Sequence, residues 1–134
     1  MQQILLYADS LSWGIVPDTR RRLAFDQRWP GVMEGALRAA GRRVRVIEDC
    51  LNGRRTVWED PFKPGRNGLA GLEQRIEVNS PLALERVAGE LDCAFFDAGR
   101  VTASSRVDGV HLDADQHAVL GAAIAAAVPA LLDG

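Results

Sequence analysis

"LYADSLSWG", residues 6–14, decides how this chain folds. Together with the preceding "QQIL" it opens on a short apolar run, too brief for a helix, that reads as a buried strand closed by the polar "ADS". The strand ends by presenting a hydroxyl, Ser10, beside a carboxylate, Asp9. Backbone strain, phosphate binding and nucleophilic catalysis would each account for such an ending, and the rest of the chain has to choose among them.

Working outward, a loop rich in Pro and Arg leads to "RWPGVMEGALRAAG" (28–41), which reads as a helix. Pro30 suits its first turn, Trp29, Met33, Leu37 and Ala40 recur at helical spacing, and Gly41 is placed to cap its end. "RVRVIED" (43–49) then reads as a second strand with Val44 and Val46 on one face. Residues 50–68 form a long loop, of a length that usually carries function in a compact domain. "GLAGLEQRIEV" (68–78) and "LALERVAGEL" (82–91) read as helices, and "CAFFDAG" (93–99) as a third strand ending in Asp97. A last helix stacks Leu120, Ile124, Val128 and Leu131 on one side. Strands alternating with helices predict an α/β fold, a parallel sheet covered on both faces. In such folds ligands sit beyond the carboxyl ends of the strands. "ADS", "EDCLNG" and "FDAG" all follow strand ends, so one edge should gather them.

Composition narrows the class. At 134 residues the chain is one domain, 1–134, with 47% hydrophobic and 25% charged residues, the balance of a soluble globular protein. A net charge of −2 argues against a nucleic-acid or membrane-surface partner, and the Arg20–Arg22 run reads as a solvated face. Cys50 and Cys93 make no disulfide framework. "ILLY" is too short for a signal peptide, and the apolar Ala122–Leu132 run is too short to span a bilayer. These features predict a cytoplasmic protein.

Chemistry then turns on few residues. A serine hydroxyl is a weak nucleophile and needs a base that a third group orients. Only two histidines exist. His117 falls inside the last helix pattern and reads as a partly exposed helical residue. His111 lies in "VDGVH" (107–111), with Asp108 three residues earlier. It is either a loop histidine or a base, and a short turn at that spacing folds the carboxylate onto one imidazole nitrogen while freeing the other for a hydroxyl.

"ADSLSWG" resembles the first block of the SGNH, or GDSL, hydrolases, with Ala8 in place of the first glycine, and "DGVH" resembles their last block. "VIEDCLNGRRT" (46–56) and "DPFKPGRNG" (60–68) are similar to the arylesterase and acyltransferase branch of that family. The resemblance implies a flavodoxin-like three-layer sandwich and a serine esterase acting on small acyl or aryl esters through an acyl-enzyme. Residue by residue it makes Ser10 the nucleophile, His111 the base and acid, and Asp108 the orienting carboxylate. The backbone N–H groups of Ser10 and Gly53 become part of the oxyanion hole. It calls for no metal or cofactor, only a small-molecule ester substrate. Asp9 then braces the turn by accepting backbone N–H bonds. Glu48 and Asp49 read as loop-bracing, and Cys50 as a small apolar residue without a cationic partner. Trp13 is the candidate for a substrate pocket, with Trp58 and Phe62 behind it, although aromatic residues near sheet edges also serve simply as core.

One block is missing. The family pattern includes Gly-x-Asn-Asp after a central strand, but here "NSPLAL" runs directly into "ERVAGEL" and no Gly-x-Asn-Asp occurs. The reading is therefore of an SGNH-like domain lacking a central segment near residues 84–85, either by internal deletion or by omission. Its unpaired strand edges would favour a homo-oligomer. Competing readings are a non-catalytic flavodoxin-like domain that binds an anion or a partner at the same edge, with Arg54, Arg55 and Arg66 in the long loop, and a deletion-inactivated esterase.

Overall fold

The structure, a computed structural model of the chain, describes residues 1–72 and 96–133. Strand β1 (Gln2–Ala8) pairs in parallel with β2 (Val44–Cys50), in a register that sets Gln2 opposite Val44 and Ala8 opposite Cys50. Between them run α1 (Ser10–Trp13) and α2 (Trp29–Ala39), and a long α3 (Ala114–Leu132) closes the chain. The parallel α/β architecture expected from the alternation is present. The expected helix at 68–78 is seen over residues 68–72 and otherwise lies outside the described residues, as do the helix at 82–91, Cys93 and the 84–85 junction. Of the expected third strand only the end is described, where Asp97 caps a 3-10 turn at Ala98–Arg100 by accepting the Gly99 N–H.

The core forms where α2 meets β2 and α3. Met33 and Leu37 are 1% exposed and Val44 fully buried, and Trp29, Val46, Leu112, Leu120 and Ala125 complete the cluster. The face read from the 29–33–37 spacing is the buried one, whereas Ala40 is an exposed cap. In α3 the buried side differs from the expected one at its end. Leu132 packs against the core and Leu131 is exposed. The helices approach closely because residue 121 is glycine: a Cβ there would stand 2.6 Å from the Trp29 carbonyl oxygen and 2.6 Å from Val32 Cβ. By length and composition α3 is apolar enough to cross a membrane, which the shorter Ala122–Leu132 run had not suggested. It lies against α2, with His117, Leu120, Gly121 and Ala125 buried.

Gly41 ends α2 at φ +82°, and the N–H groups of Gly41 and Arg42 return to the carbonyls of Arg38 and Leu37. A Cβ at this position would meet nothing within 4 Å, so any cost of adding one is conformational. Gly41→Ala is expected to lower stability by about 1 kcal/mol, read as a shift of the urea midpoint at unchanged slope.

Candidate active site

The parallel register brings the carboxyl ends of both strands to one edge. Beyond Ala8 the chain turns at Asp9, which caps α1 by accepting the Leu11 N–H at 3.0 Å. This is the bracing role expected of it. Ser10 is therefore the first residue of a helical turn rooted on the strand end. Gly14 closes that turn at φ +77°, packed so tightly on the Arg28 side chain that a Cβ would collide with it.

Glu48, near the end of β2, fastens the following loop to the sheet. Arg28, 6% exposed, meets it through two hydrogen bonds of 3.2 and 2.6 Å, and Arg22 adds a third at 3.3 Å. Arg22 also donates to the Trp13 carbonyl at 2.7 Å and lies over the Trp13 ring at 4.9 Å. The Trp13 ring is thus held under a guanidinium. Trp58 and Phe62 stand at 74% and 89% exposure, out in the long loop rather than in the core.

On the β2 side, Arg54 ties the two strand ends together. It donates to the Ala8 carbonyl at 2.9 Å, to the Asp49 carbonyl, and to the Asp49 carboxylate at 2.8 Å, with its guanidinium 3.7 Å from the centre of the Tyr7 ring. The Leu51 N–H joins the same Ala8 oxygen at 2.9 Å. Gly53, at φ +76°, sits inside this fastened loop. Among the described residues, neither the N–H of Ser10 nor that of Gly53 is donated to any group, and the Ser10 hydroxyl forms no hydrogen bond. Cys50 is half-buried and, contrary to expectation, has Arg22 and Arg54 nearby. Burial outweighs them and pushes its thiol up to about 12, so it is no nucleophile at neutral pH.

The last loop carries the base. Ser105 folds it, donating its N–H to the His111 carbonyl at 2.6 Å and its hydroxyl to Asp113 at 3.0 Å. Gly109 makes the turn at φ +70°. Asp108 Oδ1 accepts the N–H groups of Val110 and His111, each at 2.9 Å, and Oδ2 lies 2.8 Å from His111 Nδ1. The imidazole bond, reinforced by these N–H groups, holds the Asp108 carboxyl down at about 2. His111 Nε2 is left without a described partner, as the Asp-x-x-His spacing anticipated. His111 and Asp108 line a cleft of about 520 Å³ with Ile15, Asp18, Thr19 and Arg20, the segment that follows the Ser10 turn. No hydrogen bond joins Ser10 to His111 among the described residues. A second cavity, about 390 Å³, is lined by Tyr7, Asp9, Val57 and Leu69 among others. Both volumes fall in the range that holds small ligands.

The other histidine differs from expectation. His117 is 1% exposed, and its Nδ1 accepts the Trp29 N–H at 3.4 Å, serving the first turn of α2. Among the described residues no group of three or more His, Cys, Asp and Glu is arranged to hold a metal ion.

The fold has close counterparts among solved structures. An inhibitor-bound aryl esterase of M. smegmatis matches with a TM-score of 0.84 at 23% identity, covering 98% of this chain and 100% of its own. A carbohydrate acetylesterase family member from Sinorhizobium meliloti matches at 0.85 and 24%, over 100% of both chains. A candidate arylesterase from Agrobacterium tumefaciens matches at 0.74 and 26%, over 97% of this chain and 99% of its own. The chain has the SGNH-hydrolase fold. No protein-family model matches it, and no curated protein matches its sequence significantly. Within the SGNH architecture, Ser10 stands at the end of the first strand, and Asp108 and His111 lie in the loop before the last helix.

Proposed function

We propose that the protein is a carboxylic ester hydrolase that works through an acyl-enzyme on Ser10. The observation that carries this reading is the Asp108–His111 couple at 2.8 Å, facing the segment that follows the Ser10 turn. Asp108, fixed by two backbone N–H groups, holds Nδ1 in its protonated form and leaves Nε2 as the proton acceptor. Ser10 Oγ attacks the ester carbonyl as His111 takes its proton. The oxyanion that forms collects the unengaged N–H groups of Ser10 and Gly53, each such donor contributing a few kcal/mol. Collapse expels the alcohol, protonated by His111, and leaves the acyl group on Ser10. Water activated by the same imidazole then releases the acid.

The esterase character of the solved structures that share the fold supports small acyl or aryl esters as substrates. Acyl transfer follows if an alcohol replaces water in the second half-reaction. A fluorophosphonate probe tests the assembly of the site. Stoichiometric labelling at Ser10, absent in Ser10→Ala, is the expected result, and a folded sample that takes up no label would overturn the mechanism.

A further inference from the structure

The long loop after β2 brings three arginines to the oxyanion side of the site, and the structure treats them differently. Arg54 is committed to Ala8 and Asp49, and Arg55 is paired with Asp60 at 3.1 Å. Arg66 has no hydrogen bond or ion pair from its side chain among the described residues, and its Nε is a buried donor without an acceptor. The Asn52 side-chain oxygen is likewise a buried acceptor without a donor. Orphaned buried polar atoms are rare in folded proteins and call for a reason. The backbone around Arg66 is pinned, not loose. Its N–H and that of Asn67 go to Glu59, as does that of Gly65, and its carbonyl accepts the Arg55 N–H at 2.8 Å.

Arg66 is also close to the place where charge develops. A Cβ on Gly53 would lie 3.9 Å from Arg66 Nε, so the guanidinium flanks the residue whose N–H faces the oxyanion in the proposed mechanism. A half-buried guanidinium with no counter-ion among the described residues, held on a pinned backbone, is suited to recognise a carboxylate or other anion.

We infer that Arg66 is a specificity determinant that selects esters carrying a negatively charged group, such as the half-esters of short dicarboxylic acids. This inference rests on the esterase reading and names its substrate class. The fork would hold the remote carboxylate while the ester carbonyl sits against the N–H of Gly53, so that binding energy from the charged end orients the reacting end.

The test compares mono-4-nitrophenyl glutarate with 4-nitrophenyl acetate. The wild type should favour the charged ester in kcat/KM. Arg66→Gln should lower the ratio of the two by about tenfold or more, Arg66→Lys should restore part of it, and added salt should erode the wild-type preference. A ratio unchanged in Arg66→Gln overturns the inference. A second readout does not depend on turnover: glutarate binding to the Ser10→Ala protein, measured by calorimetry, should weaken by a similar factor on adding Arg66→Gln. Glutarate binding that ignores Arg66, in a variant whose circular dichroism is unaltered, also overturns it. If the wild type cleaves neither ester while Arg66-dependent glutarate binding persists, the esterase reading fails and the anion site stands.

Discussion

Ser10→Ala is expected to lower ester turnover by about 10³- to 10⁶-fold while leaving the thermal midpoint almost unmoved. The two halves of this result come from one observation. The hydroxyl makes no hydrogen bond among the described residues, so its removal leaves no partner stranded. The turn that carries it is held by others: the Asp9 carboxylate, the Trp13 and Gly14 N–H groups returning to Asp9 and Ser10, and the Arg28–Glu48 pair behind. Removing a partly buried hydroxyl that bonds to nothing is expected to shift stability by less than about 0.5 kcal/mol. Hydrolysis of 4-nitrophenyl acetate and thermal unfolding, measured on the same preparation, check both halves. A variant that keeps wild-type turnover would remove Ser10 from the chemistry, and one that loses turnover only because it melts would leave the assignment unsupported.

The second large effect is on stability in acid. Burial, with Arg28 nearby, pushes His117 down to about 4 from its usual 6.5. Its Nδ1 accepts the Trp29 N–H, and protonation would turn that acceptor into a donor facing another donor inside the core. The unfolded chain therefore takes up this proton near pH 6.5 and the folded chain only near 4. Between those values the unfolded state binds more protons, so stability is full above 6.5 and falls as the pH drops. The shift corresponds to a total of about 3 kcal/mol, most of it lost by pH 4.5. Against a typical domain stability of about 5–15 kcal/mol, that is a large share. The carboxylates held low, Asp108 among them, lose their contribution only at more acid pH. Urea unfolding at pH 7 and pH 4.5 measures the loss. His117→Leu should start less stable, because the Trp29 N–H loses its acceptor, and should lose most of the slope. A wild-type profile flat over this range would show that His117 is not held neutral.

Local pattern made much of this legible in the sequence. The positions of β1 and β2, the buried face of α2 at Trp29, Met33 and Leu37, the glycine cap at Gly41 and the Asp108–His111 turn all depend on residues a few positions apart, and each was readable. The failures share a cause of the opposite kind. His117 looked like an exposed helical residue because its partner, the Trp29 N–H, is distant in sequence and becomes its neighbour only when α3 crosses α2 at Gly121. Glu48 and Asp49 were readable as bracing residues, but not their partners Arg28, Arg22 and Arg54, which pattern alone does not distinguish from solvated arginines. The exchange of Leu131 for Leu132 at the end of α3 is of the same type, since a one-residue drift of a helical stripe is decided by what packs against it.

Arg54 has one more consequence, for how this protein can be altered. By gripping Ala8 and Asp49 together it makes the spacing of the two proposed oxyanion donors a property of the strand ends, independent of the loop beyond. The stretch around Trp58 and Phe62 projects into solvent and is joined to the framework through Glu59, Asp60 and the Arg55–Asn67 bridge. Exposed tips of this sort tolerate insertion and exchange. Trp58 and residues 61–63 are therefore the natural positions for grafting new substrate contacts, because changing them while Glu59 and Asp60 are kept leaves the strand ends in the keeping of the Arg54 guanidinium.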